Sequence, residues 1–260
     1  VWAELQKRHS AHEHEKHGHE HGEDCGHDHG TDYLRDYEQD DFDAIIVGAG
    51  ATGVGMAIML TRNFGLDPSR VLLVERGAAV GETFRRWPKE MNFISPSFNH
   101  QGWTSSFDLN SVAYGTSPAF TLHAEHPSGA QYARYLCDIA EQWKLRVRTH
   151  TEVTAIKPQA LGGFEVEVGP AAGAAADGAA APAAATTLRS PYVVWAAGEF
   201  QYPRASGAGT LFPGSELCMH NSSVRSWKTL PGDDFVVIGG YESGMDASYN
   251  LAMCGKRCTV

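Results

Sequence analysis

Apolar and polar positions change period several times along the chain, and each change predicts an element. AIIV within DAIIVGAG (Asp43 to Gly50) is a continuous apolar run and reads as a buried strand. IIVGAGATGVGMAIML carries that strand through a glycine turn into a helix. VLLVE (Val71 to Glu75) is a second buried strand. From Ser128 to Leu145, Tyr132, Tyr135, Leu136, Ile139 and Trp143 fall on one face, which predicts an amphipathic helix. LRVRTHTEVTAIK alternates as a strand, and GGFEVEV (Gly162 to Val168) alternates through Phe164, Val166 and Val168. PYVVWAAG (Pro191 to Gly198) reads as a further buried strand. Strands alternating with helices predict an α/β fold with a parallel, doubly wound sheet.

Two segments break the pattern. Residues 9–29 hold eight of the 13 histidines, with Cys25 and no large apolar side chain. They bury too little to offset their ordering entropy, so residues 1–41 are expected to be a disordered, acidic, histidine-rich tail. Residues 169–187 (GPAAGAAADGAAAPAAATT) are rich in alanine but interrupted by Gly173, Gly178 and Pro182. They are expected to be an expanded hairpin loop in a surface meander, which costs little closure entropy.

Charge changes the picture only at the start of the chain. The net charge of the 260 residues is −10, and the first 41 hold 12 of the 31 acidic and four of the 21 basic residues. The rest is nearly neutral, with no basic footprint for nucleic acid. No apolar run approaches the ~18 residues a membrane span needs. Five scattered cysteines fit a reducing compartment, and a cytoplasmic location is expected.

The candidate chemistry begins at Gly48, Gly50 and Gly53. They follow a buried strand and open a helix, where Gly48 allows the tight turn and Gly50 lets backbone approach a pyrophosphate. Gly53 allows close helix–strand packing. The helix N-terminus offers N–H groups and a positive dipole end to the phosphates. Glu75 ends the second strand, 22 residues after Gly53. A carboxylate there accepts hydrogen bonds from both ribose hydroxyls and repels a 2′-phosphate.

DDFVVIGGYESGMDASYNLAMCGKRCTV repeats the strand–turn–helix–strand plan. Gly239 and Gly244 stand first and last, Tyr241 replaces the middle glycine, and Gly240 sits beside it. A second nucleotide site is expected there.

Two such units about 190 residues apart, the second preceded by a strand ending AAG, resemble the two-dinucleotide-binding flavoproteins. These are thioredoxin-reductase-like enzymes and flavin monooxygenases. More narrowly, VGETFRRWPKEMNFISPSF, EHPSGAQYARYL, VVWAAGEFQYP and VVIGGYESGMDA resemble the bacterial flavoproteins associated with cation-diffusion-facilitator transporters. The resemblance covers roughly residues 42–260. It implies a Rossmann-like FAD domain with a β-meander over 42–230, and the start of an NAD(P)H domain, cut short, over 231–260. It implies FAD at Gly48, Gly50, Gly53 and Glu75, with Gly81, Glu82 and Thr83 near the flavin. Val153 passes the adenine, and Ala197 and Gly198 form the crossing turn. Gly239, Gly240, Ser243 and Gly244 hold the NAD(P)H pyrophosphate.

The resemblance implies an FAD-dependent oxidoreductase that takes hydride from NAD(P)H and passes electrons to a small-molecule acceptor; a homodimer is compatible with it. Its alternative is a non-catalytic flavin-binding module for metal handling or redox sensing. Departures bear on both. No Cys-x-x-Cys pair lies inside the second helix; Cys254 and Cys258 straddle its end. Phe212, Gly214, His220 and Trp227 are present, but not at the monooxygenase spacing. Trp87, Asn92, Ser97, His100 and Trp103 are candidates for a flavin-facing loop, Glu199 for a flavin-facing carboxylate and His220 for a proton donor. In the tail, His12, His14, His17, His19, His21, Cys25, His27 and His29 are candidate ligands for zinc or nickel.

Overall fold

The computed structural model describes residues 41–95, 108–172, 185–199 and 212–260. They divide into two compact units. One takes residues up to 78 and 142–196, the other 79–141 and 197–260.

The first unit is built on a four-stranded parallel sheet. Its strands are β1 (Ala44–Val47), β2 (Val71–Val74), β3 (Arg146–Arg148) and β7 (Val193–Trp195), in the order β3-β2-β1-β7. All four residues of β1 and of β2 are buried, which is why both read as unbroken apolar runs. Helix α1 (Ala51–Ile58) covers one face with Val54, Ala57 and Ile58. It runs on as a π-helical turn, Met59–Asn63, where the Phe64 N–H reaches back to the Met59 carbonyl. A meander carries the other layer: β4 (Thr151–Pro158), β5 (Phe164–Pro170) and β6 (Thr186–Ser190), antiparallel in that order. Phe42, Ile45, Leu72 and Val74 meet Val166, Val168 and Leu188 of the meander in one core, with Val153, Ile156, Phe164 and Val193 packed against it.

The expected α/β architecture with a meander is therefore observed, with three local differences. The stretch LRVRTHTEVTAIK is two strands in two sheets, not one. His150 turns the chain at φ 52° between them, holding the Gly77 carbonyl with its N–H and accepting from Ala171. The strand expected over Pro191–Gly198 is only three residues long, and Trp195 is exposed. The long helix runs Gly129–Gln142, short of the expected ends. Residues 173–184 of the alanine-rich loop lie outside the described residues; β5 and β6 on either side of it pair as a hairpin would.

The second unit holds helices α2 (Glu82–Arg85), α3 (Pro118–Leu122), α4 (Gly129–Gln142) and α5 (Glu242–Met253). Strands β8 (Asp234–Val236) and β9 (Arg257–Thr259) pair in parallel around α5. Trp227 and Val224 pack with Ala247 and Leu251 of α5, backed by Phe235, Val237 and Cys258. A second cluster is aromatic: Phe84, Trp87, Phe93, Tyr132 and Tyr135, with ring centroids 4.6–5.9 Å apart. Asp108, buried, anchors the segment before α3. It accepts from the Asn110 N–H, the Ser117 hydroxyl and the Ala119 N–H. No helix among the described residues is long and apolar enough to cross a membrane.

Candidate dinucleotide site

The first glycine turn joins β1 to α1. Gly48 has φ 103°, a value open to glycine and costly for other residues, and its N–H donates to the Val74 carbonyl at 2.8 Å. Gly53 is buried in the first turn of α1, where a Cβ would fall 1.9 Å from the Gly48 carbonyl oxygen and 3.6 Å from Ile46 Cγ2. No side chain fits there. Gly50 caps α1 in extended backbone at φ −80°, which any residue adopts. Among the described residues, a Cβ on Gly50 would meet nothing within 4 Å. Glycine at 50 therefore preserves room above the helix mouth rather than a backbone shape. No side chain caps the helix, so its first N–H groups keep their donor capacity for an anion.

Glu75 follows β2 and lies beside this turn. One carboxylate oxygen accepts the Ala49 N–H at 2.8 Å and the other accepts the Gly77 N–H at 2.6 Å. Each oxygen retains a second lone pair, which is what two ribose hydroxyls require. The turn, the helix mouth and the carboxylate thus come together as the sequence predicts. The arrangement sets uncapped N–H donors at the helix mouth beside a carboxylate with unused lone pairs.

The other candidates fall as follows. Val153 lies in β4, packed on the core, at a bulge that skips Thr154 between Val153 and Ala155. Ala197 and Gly198 follow β7, with Gly198 at φ 86°. In the second unit, Gly81 caps α2, and a Cβ there would stand 3.1 Å from Ala133 Cα of α4. Its left-handed backbone, φ 75°, together with this close approach, accounts for that glycine. Glu82 pairs with Arg86 at 2.9 Å, and Thr83 is exposed. Trp87 belongs to the aromatic cluster, and Asn92 bridges to Ser128. Ser97, His100 and Trp103 lie outside the described residues, as do the tail ligands from His12 to His29. Glu199 is exposed. His220 is also exposed, and its Nδ1 holds the Ser222 hydroxyl and N–H. Cys254 ends α5 and Cys258 lies in β9; both are free thiols. Among the described residues no cluster of metal-ligating side chains occurs.

The second glycine turn joins Val237 to α5. Gly239 has φ 110°, and a Cβ on Gly244 would fall 1.7 Å from the Gly239 carbonyl oxygen. Tyr241 caps the helix, while Gly240 and Ser243 are exposed.

Sequence reading missed three polar centres. Glu90 accepts from the Ser226 hydroxyl and from the Trp227 N–H at 3.0 Å. Burial pushes this carboxyl up, but the Ser226 hydroxyl and the backbone N–H groups of Glu90, Trp227 and Lys228 together hold it below the usual range. Asp108 was also missed, although Ser117 before Pro118 is a legible helix start. The third is the Tyr132–Tyr135 pair. The Tyr135 hydroxyl bonds the Thr116 hydroxyl at 2.7 Å, and the Tyr132 hydroxyl donates to the Asn110 carbonyl at 2.7 Å. Burial first, then electrostatic coupling to Tyr135 and Asp108, push the Tyr132 phenol above its ordinary range.

Comparison with known proteins extends this geometry to a family. The chain is 25% identical to bacilliredoxin reductase Bdr of Bacillus subtilis (strain 168), over 84% of this chain and 56% of that protein. The bacillithiol disulfide reductase Bdr (YpdA) from Bacillus cereus has a similar fold, with a TM-score of 0.62 at 24% identity, covering 85% of this chain and 58% of that one. A flavin-containing monooxygenase from Stenotrophomonas maltophilia matches with a TM-score of 0.60 at 17% identity, covering 85% and 57%. The chain thus spans a little over half the length of these relatives. The family model for pyridine nucleotide-disulphide oxidoreductases matches residues 45–260, and the chain belongs to that family.

Proposed function

We propose that this chain is the FAD-binding part, with the beginning of the NAD(P)H-binding part, of an oxidoreductase that takes hydride from NAD(P)H and passes electrons to a small-molecule acceptor. The observation that carries the reading is the first turn. Gly53 closes on Gly48, Gly50 leaves room at the helix mouth, and Glu75 is bonded into the same turn. The proposed division follows: residues 42–230 for FAD and 231–260 for the nucleotide.

When bound, FAD would supply the two-electron chemistry, accepting hydride and releasing electrons. The chain's own residues bind and orient. Backbone N–H groups at the start of α1 hold the pyrophosphate, and Glu75 holds the ribose. Val153 passes the adenine, and Gly81, Glu82, Thr83, Ala197 and Gly198 border the flavin in this reading. Gly239, Gly240, Ser243 and Gly244 take the NAD(P)H pyrophosphate. Cys254 ends α5 and Cys258 packs against the Trp227 cluster, and this reading uses neither as a shuttle. The acceptor then meets the flavin directly, as a disulfide, a quinone, or oxygen with an organic substrate. The longer phrases that resemble the cation-diffusion-facilitator-associated flavoproteins keep that subgroup as the finer assignment.

The absorbance spectrum of the purified protein tests the reading. A flavin spectrum that bleaches with NADH or NADPH is expected. A colourless protein that takes up no added FAD would refute it.

A second reading rests on the histidine-rich tail. It makes the protein a flavin-bound module for metal handling, with His12, His14, His17, His19, His21, Cys25, His27 and His29 binding zinc or nickel. Calorimetric titration decides: micromolar zinc or nickel binding favours it, and no binding ends it. Steady NAD(P)H turnover favours the enzyme, and a single slow reduction favours the sensor.

A further inference from the structure

The two glycine turns match residue for residue. Gly48, Gly50 and Gly53 correspond to Gly239, Tyr241 and Gly244. The first member has φ 103° in one and 110° in the other, and in both the last member closes on the first member's carbonyl oxygen. The middle member caps the helix with nearly the same backbone: φ −80° and ψ −168° at Gly50, φ −87° and ψ −174° at Tyr241. Such values accept any L residue. Tyrosine is therefore unstrained at 241, and at this position the two turns differ in the side chain rather than the backbone.

Those side chains bear on an anion. Above Gly50 the direction of a Cβ is open, and the next residue is Ala51. At the second turn the same direction carries a phenol that is 82% exposed, and the next residue is Glu242, a carboxylate in the first turn of α5. A pyrophosphate reaches a helix N-terminus through this direction and carries negative charge. The matching backbone sends the Tyr241 side chain off in the direction that glycine leaves open for the diphosphate at the first turn, and Glu242 offsets the favourable dipole.

We infer that Tyr241 and Glu242 make the second turn a loose, gated diphosphate site. The ring must rotate off the helix mouth before a dinucleotide seats, and the carboxylate shortens its stay. This rests on the reading that the second turn takes NAD(P)H. It also supplies a physical reason for the duplication with a difference. The first turn keeps a resident cofactor, and the second must release a spent nucleotide at every cycle.

The test is calorimetric titration of the FAD-loaded protein with NADP⁺ and with NAD⁺. Y241G is expected to bind about five- to tenfold tighter, the scale of no longer displacing one ordered side chain. Glycine is tolerated as a helix cap, and circular dichroism checks that α5 persists. Y241F keeps the ring and should match the parent. E242Q should bind about two- to fivefold tighter at low salt, with the gain fading as salt rises. Unchanged or weaker binding by a folded Y241G overturns the inference and leaves the nucleotide reading standing. Saturable binding by none of the proteins overturns the nucleotide reading and the inference with it.

Discussion

Glu75 accepts the Ala49 N–H at 2.8 Å, so the carboxylate that ends β2 is fastened to the glycine turn that ends β1. Its second oxygen fastens the Gly77 N–H. This one side chain therefore serves the fold as well as the proposed ribose contact. Glu75→Ala leaves two part-buried N–H groups without their charged acceptor and is expected to destabilise the FAD-free protein by about 1–3 kcal/mol. Glu75→Gln keeps one acceptor oxygen and should lose less stability. Both should weaken FAD. Thermal unfolding of the FAD-free protein, followed by FAD titration, separates the two effects.

Gly50 and Gly53 divide the labour of the turn, and alanine at each should show it. Gly53→Ala sets a Cβ 1.9 Å from the Gly48 carbonyl oxygen. The backbone must move, and a loss of about 1–3 kcal/mol or more is expected even without FAD. Gly50→Ala meets nothing within 4 Å and sits in ordinary extended backbone. Its stability should stay within about 0.5 kcal/mol of the parent, while FAD affinity falls at least about tenfold, a cost of ~1.4 kcal/mol. Equal losses of stability in the two variants would contradict this division.

What was legible follows from what is local. The strand–turn–helix units announce themselves because their glycines are required by neighbours five residues away, as Gly53 is by Gly48. Glu75 was legible because its place after a buried strand is a chain-order signal. The break at His150 was not. Alternation continues unchanged on both sides of it, and the left-handed turn is made without glycine, so only the partners of β3 and β4 reveal two strands. Glu90 was invisible for a different reason. Its partners, Ser226 and Trp227, lie more than 130 residues away and carry no local pattern. The aromatic cluster is likewise assembled from α2, α4 and the segment between them.

Glu90 should make stability depend on acid. Burial raises its carboxyl, but the hydrogen bonds from Ser226 and the backbone N–H groups outweigh that and hold it below its ordinary value. A depressed carboxyl contributes stability that is present above the unfolded value and lost as pH falls through the folded one. Glu90→Gln should therefore unfold at a lower temperature than the parent at neutral pH. The gap should narrow as pH falls below about 4. Thermal unfolding of both proteins between pH 7 and pH 3 measures it, and a gap that widens in acid would contradict the assignment.

Asp246 should behave with the opposite sign. Burial pushes its carboxyl up, and the hydrogen bond from Asn250 opposes this without cancelling it. Its Oδ2 is buried with no hydrogen-bond partner among the described residues, while Oδ1 accepts from Asn250 at 3.2 Å. A raised carboxyl contributes stability that is full below the unfolded value and lost as pH rises through the folded one. When ionised, Asp246 of the folded protein is a partly buried charge whose Oδ2 meets no partner among the described residues. Asp246→Asn removes the charge and keeps an oxygen for Asn250. The variant should melt higher than the parent at pH 7 and no differently near pH 3. Thermal unfolding across that range gives the answer. A variant that melts lower at pH 7 would mean that the Asp246 charge is matched in the folded protein after all.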